Sequence, residues 1–378
     1  MPAQPANVPQ YLPLFIPPSF RRFTRVEGQV AYAANGQTNP LRIDQSGTLL
    51  GLLVTFNGTL TTGTTAPVLA DSAPYSIVKY VSLSVSGGVG QQCQVPAYIL
   101  NIVERTREQD YTDGPSTPVA ASTANAWSFD FHVPVCVRDG EMYGGWSDLL
   151  GAIYTGDPEV TVNFSLIFNS EATIITNQGA ANATLAGTFT VTSSKLDTPL
   201  PSDNLGLLTA ISWVHRLQEE KANVAIAGAG VLAIDGLPVS QPKVYLRIWD
   251  SIVNNGAHAN GVVASIDAQF QDMVDFEQGI PEQVWLARQR RRYTTPLPAG
   301  TYCLDFASGN TRNSWQPVDR ISIFRITPTI SGVALTAAAI ARYSEHVVPS
   351  PLAAKWMNKA AQNGNLAKWF ASGQQAAA

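Results

Sequence analysis

Residues 193–206 read SSKLDTPLPSDNLG. Pro199 and Pro201 remove backbone donors, and Asp203, Asn204 and Gly206 add turn chemistry, so the stretch reads as a linker and places a boundary near residue 200. What flanks it decides the fold, because the same succession of elements is written on both sides. Ahead of it, TRVEGQVAYAA (24–34), TLLGLLVTFNGTL (48–60), SIVKYVSLSVSG (76–87), AWSFDFHVPVCV (126–137), EVTVNFSLIF (159–168) and LAGTFTVTSS (185–194) carry the β-branched and aromatic residues that strands favour. Behind it, LLTAISWVHRL (207–217), NVAIAGAGVLAI (223–234), PKVYLRIWD (242–250), GVVASIDAQF (261–270), TYCLDF (301–306), RISIFRIT (320–327) and ALTAAAIARYSEH (334–346) do the same.

Each half also places one helix before its last strands. In the first half the candidate is DGEMYGGWSDLLGAIY (139–154); in the second it is PEQVWLARQRRRY (281–293). Many short strands with Gly/Pro turns predict a sandwich or barrel, and eight strands in a double Greek key make a jelly roll. The expected architecture is all-β: two tandem eight-stranded jelly rolls with short helical insertions. The expected divisions are an extended N-terminal arm over 1–20, a first roll over 21–198, a linker over 199–206, a second roll over 207–346 and a C-terminal basic amphipathic tail over 347–378. Six prolines in the first 20 residues, mixed with Leu12, Leu14, Phe15 and Ile16, make the arm an extended segment that needs a surface to lie on.

Apolar residues make up 45% of the 378-residue chain and charged residues only 14%, well below the roughly 25% of an ordinary soluble globular chain. So little charge predicts that much of the surface faces other protein. Residues 1–285 hold 13 Lys and Arg against 25 Asp and Glu, whereas residues 286–378 hold 11 against 3. This asymmetry suits an anionic partner for one end, or charge pairing inside the fold or between subunits.

Arg288, Arg290, Arg291 and Arg292 fall in the last turn of a helix that opens with Pro281 and Glu282. Basic residues at a helix C-terminus complement the macrodipole, by about 0.3–1 kcal/mol each. With no Gly-rich loop or second basic cluster nearby, the run reads as a helix terminus or subunit interface and not as a sequence-specific nucleic-acid site. In the tail, Leu352, Trp356, Ala360, Ala367 and Phe370 share one helical arc flanked by Lys355 and Lys359, with Lys368 and Trp369 beside it and a break at Gly364. Lysine-flanked aromatics suit a lipid surface and a neighbouring subunit alike, so Lys355, Trp356, Lys359, Lys368, Trp369 and Phe370 are candidate docking residues for either.

Catalysis finds no foothold. GAGVLA (228–233) imitates a dinucleotide fingerprint, but Gly236, Pro238 and Pro242 leave no helix to hold a pyrophosphate. His132, His215, His258 and His346 show no metal-ligand spacing, and His215 with Glu219 reads as an exposed pair. Cys93, Cys136 and Cys303 have neither CxxC spacing nor an even count, so they read as buried thiols. No catalytic residue, cofactor or metal is assigned. No signal peptide is read at the N-terminus and no apolar run of 18 residues occurs, so no membrane span is expected.

Three stretches carry a resemblance. Trp285–His346 runs from the helix WLARQRRR through the turn PLPAGTYCLDF to ARYSEH; the inter-roll segment is SKLDTPLPSDNLGLLTAISWVHRL (194–217); GTLLGLLVTFNGTLT (47–61) and SIVKYVSLSV (76–85) stand in the first half. In order and spacing the chain resembles the double jelly-roll major capsid proteins of tectivirus-like, tailless bacteriophages with an internal membrane, and more distantly adenovirus hexon. The resemblance implies a non-enzymatic virion protein whose pseudo-hexagonal homotrimers tile an icosahedral shell around a lipid vesicle, after assembly in the host cytoplasm. Its implied partners are neighbouring capsomers, penton and minor capsid or membrane proteins, and, peripherally, viral lipid. Members of that family often carry an N-terminal membrane-facing helix; here a proline-rich arm stands in front and the basic helix behind. A carbohydrate-binding or host-attachment virion protein on the same fold is the alternative.

Overall fold

The computed structural model describes residues 21–369 apart from 66, 108–119, 122, 140–147, 176–182, 235, 240–241, 271–273, 308–314 and 320. The arm at 1–20 and Phe370 lie outside the described residues. In chain order the first half forms β1 (Arg21–Ala31), β2 (Leu41–Arg42), β3 (Thr48–Thr61), β4 (Val78–Val85), β5 (Gly90–Val95), α1 (Ala97–Arg107), β6 (Ala124–Pro134), β7 (Ile153–Tyr154), β8 (Val162–Phe168) and β9 (Thr184–Asp197). After α2 (Leu205–Ala210) the second half forms β10 (Trp213–Ala225), β11 (Gly230–Val231), β12 (Val244–Asn254), β13 (Ala257–His258), β14 (Val263–Phe270), β15 (Val274–Pro281), α3 (Glu282–Arg292), β16 (Thr301–Asp305), β17 (Gln316–Pro317), β18 (Phe324–Ile330), β19 (Ala339–Pro349) and α4 (Leu352–Gln362).

The pairing makes two jelly rolls. In the first, β1-β9-β3-β6 form one antiparallel sheet and β2-β8-β4-β5 the other; in the second, β10-β19-β12-β16 and β11-β18-β14-β15 take the same places. The likeness extends to a shared irregularity. One residue bulges between Leu49 and Gly51 of β3 opposite β9, and one between Tyr245 and Arg247 of β12 opposite β19. That common bulge sets the roll-to-roll correspondence residue by residue: Ser194 stands where Glu345 does, and Gly51 where Arg247 does. Each roll also inserts an eleven-residue helix, α1 or α3, directly after the strand that ends its second sheet.

The rolls are joined by backbone. The outer strand of the first roll's second sheet, β5, pairs in parallel with β10 through Leu217↔Cys93 and Gln218↔Gln94, fusing two sheets into one of ten strands. Strands that face one core and solvent alternate as the sequence pattern demands; β8 (VNFSLIF) buries every second residue. By contrast, β12 and β19 are buried on both faces. Their inner face, with Tyr245, Ile248, Ile252 and Ile340, packs in the second roll's core; their outer face, with Trp249, Ala341 and Tyr343, joins the first roll's core.

Two elements differ from expectation. The helix expected over 139–154 is not formed by its described part, where Arg138 bridges Asp148, Gly151 turns at φ +94° and β7 follows. Residues 140–147 of that expected helix lie outside the described residues; among the described residues of the first half the α-helix is α1. Leu207–Ala210 is helical rather than strand, because Asn204 caps α2 by accepting from the Leu207 N–H (2.9 Å), and the strand starts only at Trp213.

Candidate functional site: the seam between the rolls

α1 lies in the seam with eight of its eleven residues buried and the other three partly so, and its side chains reach into the second roll. Its start is set by Pro96, and Ile99, Leu100, Ile102 and Val103 pack into the core. The Tyr98 hydroxyl stands 3.2 Å from that of Tyr343, and Arg105 donates to the Pro296 carbonyl (3.0 Å). Arg107, in the last turn, ion-pairs with Glu345 of β19. Next to these, Arg216 donates to the Val89 carbonyl (2.7 Å) and the Tyr80 hydroxyl to Glu219 (2.8 Å), so the two rolls exchange hydrogen bonds along the whole parallel junction.

Glu345 is the electrostatic centre of the seam. It is fully buried, yet Arg107 and Arg247 (2.8 Å) both contact it and His215 Nε2 lies 3.0 Å away. Burial alone would push its carboxyl up, but the two guanidinium groups, with His215, hold it well below the ordinary range. The His215 ring is kept neutral by the same burial and by Arg107, which outweigh the pull of Glu345. Behind them Arg247 approaches Asp305 (3.3 Å), and the Tyr293 hydroxyl donates to Asp305 (2.9 Å). Burial pushes the Cys93 thiol up to about 12 and the Cys136 and Cys303 thiols up as well, so these cysteines are unreactive packing residues. The arrangement holds two sheets together; it offers no activated nucleophile.

The arginine run sits on α3, which begins with Pro281 as its cap residue. Arg288 pairs with Glu277 (2.8 Å), Arg290 donates to the Leu286 carbonyl (3.3 Å) and Arg292 approaches Asp305 (3.5 Å). Arg291 is exposed. A cleft of about 530 Å³ between α3 and β16 is lined by Arg288, Arg291 and Arg292 with Glu277 and Asp305 among them. Trp285 is buried in the second roll's core.

The tail folds back on its own chain. Trp356 is buried against Leu207, Leu208 and Ile211 and meets Tyr154 edge-on at 5.4 Å. Lys355 bridges Asp157 and Glu159, each at 2.7 Å, and Asn365 donates to the Ser202 carbonyl (2.9 Å). Lys359 lies over the Trp356 ring at 4.9 Å, Lys368 is exposed and Trp369 is half-buried beside the same apolar cluster. Gly364, at φ +69°, interrupts the helix. Of the apolar arc that the sequence offers to lipid or to a neighbouring subunit, Leu352, Trp356 and Ala360 are thus covered by the chain's own surface, Ala367 is exposed, and Phe370 lies outside the described residues.

Sequence reasoning passed over Tyr98, Arg105, Arg107 and Glu345, and took His215 and Glu219 for an exposed pair. His215 is instead buried against Glu345, and Glu219 accepts from Tyr80. The available signal was Arg342, Glu345 and His346 in the otherwise apolar run AIARYSEHVV (339–348): charges in a strand buried on both sides must be paired.

No family model matches the sequence, and no curated protein sequence matches it. Solved structures do match. The atomic structure of Sulfolobus Turreted Icosahedral Virus contains a chain that is 12% identical at a TM-score of 0.65, covering 91% of this chain and 98% of that one. The major capsid protein P2 from bacteriophage PM2 is 13% identical at 0.54, over 87% of this chain and 97% of that one. PBCV-1 VP54, in a structure fitted into a reconstruction of the virophage Sputnik, is 12% identical at 0.56, over 88% and 96%. The likeness is one of fold and spans both rolls; the fold is a double jelly roll.

Proposed function

We propose that the chain is the major capsid protein of an icosahedral virion and acts structurally, without catalysis. The observation that carries this reading is the fusion of two like rolls by the β5–β10 pairing and the α1 seam, with one sheet running through both. Two similar rolls per chain let three chains present six comparable edges, so a homotrimer packs as a pseudo-hexagon among neighbouring capsomers. A charged fraction of only 14% suits a subunit that meets partners on several sides. The solved structures named above are of viral capsid proteins and virus particles, which favours this reading over glycan binding or host attachment.

Within that function the α4 segment clasps the seam, and its exposed lysines, Lys359 and Lys368, supply the contact with viral lipid or a minor protein on the inner surface. Penton and minor or membrane proteins complete the shell, and the internal membrane lies beneath it. Native mass measurement of the purified chain tests the reading: a stable trimer is expected, and a chain that stays monomeric at assembly concentrations overturns it. Electron microscopy of trimers under crowding conditions should then show hexagonal sheets or closed shells.

A further inference from the structure

The two inserted helices occupy the same place in the two rolls, yet only one is covered. α1 follows Val95-Pro96 and α3 follows Ile280-Pro281, both run for eleven residues, and both end in arginine, Arg107 and Arg292. Leu100 of α1 and Trp285 of α3, at matching positions, are both buried in their own rolls. On the other side they diverge. The residues of α1 that reach across the seam are Tyr98, Arg105 and Arg107; their counterparts on α3, Gln283, Arg290 and Arg292, are exposed. Ile99 is fully buried, whereas its counterpart Val284 is 39% exposed.

The receiving surface shows the complementary difference. In the second roll, the outer face of β10-β19-β12 is covered by α1, and the edge of β10 is paired with β5. In the first roll the equivalent face, of β1-β9-β3, leaves Leu53, Thr55, Thr190 and Thr192 partly exposed. Leu53 stands where the fully buried Trp249 stands in the second roll, and Thr192 where Tyr343 stands. The edge of β1 pairs with no strand beyond β9 among the described residues, and Val26 on it is 60% exposed. Among the described residues β15 likewise pairs only with β14, leaving its other edge open. One roll of the chain therefore has a covered face and an uncovered helix, and the other has a covered helix and an uncovered face.

We infer that β15 and α3 of one copy seat on β1 and the outer face of β1-β9-β3 of a second copy, repeating between chains the junction that β5 and α1 make within the chain. This inference rests on the capsomer reading and assigns its subunit interface. The contact is heterologous, head to tail, so it generates a ring, which closes at three chains in the proposed trimer. Charge agrees with the match: the first roll, residues 21–198, holds nine Lys and Arg against fifteen Asp and Glu, and α3 brings four arginines to it. The register follows from the in-chain template. Cys93 lies three residues before Pro96, as Gln278 does before Pro281, and Leu217 faces Glu345 as Thr24 faces the equivalent Ser194. The pair Leu217↔Cys93 within the chain thus becomes Thr24 of one copy opposite Gln278 of the next.

Thr24 and Gln278 are both exposed, and the native cysteines are buried, so engineered thiols at these positions report the contact cleanly. The variant Thr24→Cys/Gln278→Cys, treated with a short bismaleimide that tolerates a register slip of one pair, should run on denaturing gels as covalent dimers and trimers. A mixture of Thr24→Cys chains with Gln278→Cys chains should stop at dimers, and neither single variant alone should cross-link. A wild-type chain that is oligomeric by native mass, with a double variant that is equally oligomeric but does not cross-link, overturns this interface and leaves the capsomer reading standing. A monomeric wild-type chain overturns both. Cross-linking of either single variant with itself would mean a two-fold contact and also overturn the head-to-tail arrangement.

Discussion

Arg107, at the end of α1 in the first roll, ion-pairs with Glu345 in the middle of β19 of the second, 238 residues away, and neither side chain is more than 1% exposed. A buried charge that loses its partner stays desolvated, so breaking such a pair from one side costs about 3–5 kcal/mol. Arg107→Met should therefore lower the urea midpoint strongly, although it removes only one side chain from a large protein. Adding Glu345→Gln to it should cost less than Glu345→Gln alone, since that carboxylate has then already lost one of its two guanidinium partners and keeps only Arg247; coupling energies between touching residues run to about 0.5–3 kcal/mol. Additive costs in the double-mutant cycle would show that the two groups do not sense each other.

Acid should loosen the fold before it titrates ordinary carboxylates. All four histidines are held below their usual value of 6.5, each chiefly by burial, and His132 falls to about 3. A depressed imidazole binds a proton more readily in the unfolded chain. Its contribution is therefore fully present above about pH 6.5 and is lost as pH falls from there toward the folded value, by up to about 1.4 kcal/mol per pH unit for each group. Glu345 acts in the same direction lower down: its carboxyl is depressed, so its contribution stands above its ordinary 4.5 and is lost as pH drops below that. Urea midpoints measured from pH 7.5 to pH 5 should hold down to about pH 6.5 and fall below it, and His346→Gln should flatten that fall. A midpoint that rises on acidification would contradict this account.

Much of this was legible in the sequence, and the rest was hidden for identifiable reasons. β8 and β18 alternate because each faces one core, and period-two patterns are read directly. The doubled order of elements is legible for the same reason. α1 was missed because its first turns, YILNIV (98–103), are mostly apolar and rich in β-branched residues, which imitate a strand. The seam itself was out of reach, since Arg107, His215 and Glu345 meet only through tertiary packing. In the tail the amphipathic arc was read correctly as a helix, but periodicity says that an apolar face is covered, not by what; here Leu207, Leu208 and Ile211 cover Trp356.

Trp356 should hold the tail down far more firmly than the lysine beside it. It is 3% exposed and fills a cluster with Leu207, Leu208 and Ile211, and truncating a buried tryptophan to alanine costs about 3–5 kcal/mol. Because α4 follows the last strand, that cost is expressed as local release and not as global unfolding. Trp356→Ala should speed tryptic cleavage at Lys359 while leaving the rolls intact. Lys355→Ala removes only a partly exposed pair, worth less than about 1 kcal/mol, and should change the cleavage rate little. Equal protection in Trp356→Ala and wild type would mean that the clasp is held elsewhere.

Gly151 offers the most direct measure of how closely the rolls approach. It turns at φ +94° and donates its N–H to the Ala210 carbonyl (2.8 Å), and a Cβ there would stand 2.5 Å from the Cβ of His215 and 2.8 Å from its backbone nitrogen. Alanine at 151 therefore meets two penalties, backbone strain of about 1–3 kcal/mol and a collision with β10 that only separation of the rolls relieves. Gly90 separates the two: it also has a positive φ, +76°, but a Cβ added there meets nothing within 4 Å. Gly90→Ala should cost only the strain, whereas Gly151→Ala should cost more and also disturb the buried imidazole of His215, seen as a shifted His215 resonance or faster exchange of its backbone amide. If the two variants lose the same stability and His215 is unchanged, the loop carrying Gly151 yields freely and the seam is looser than the packing of α1, β10 and β19 requires.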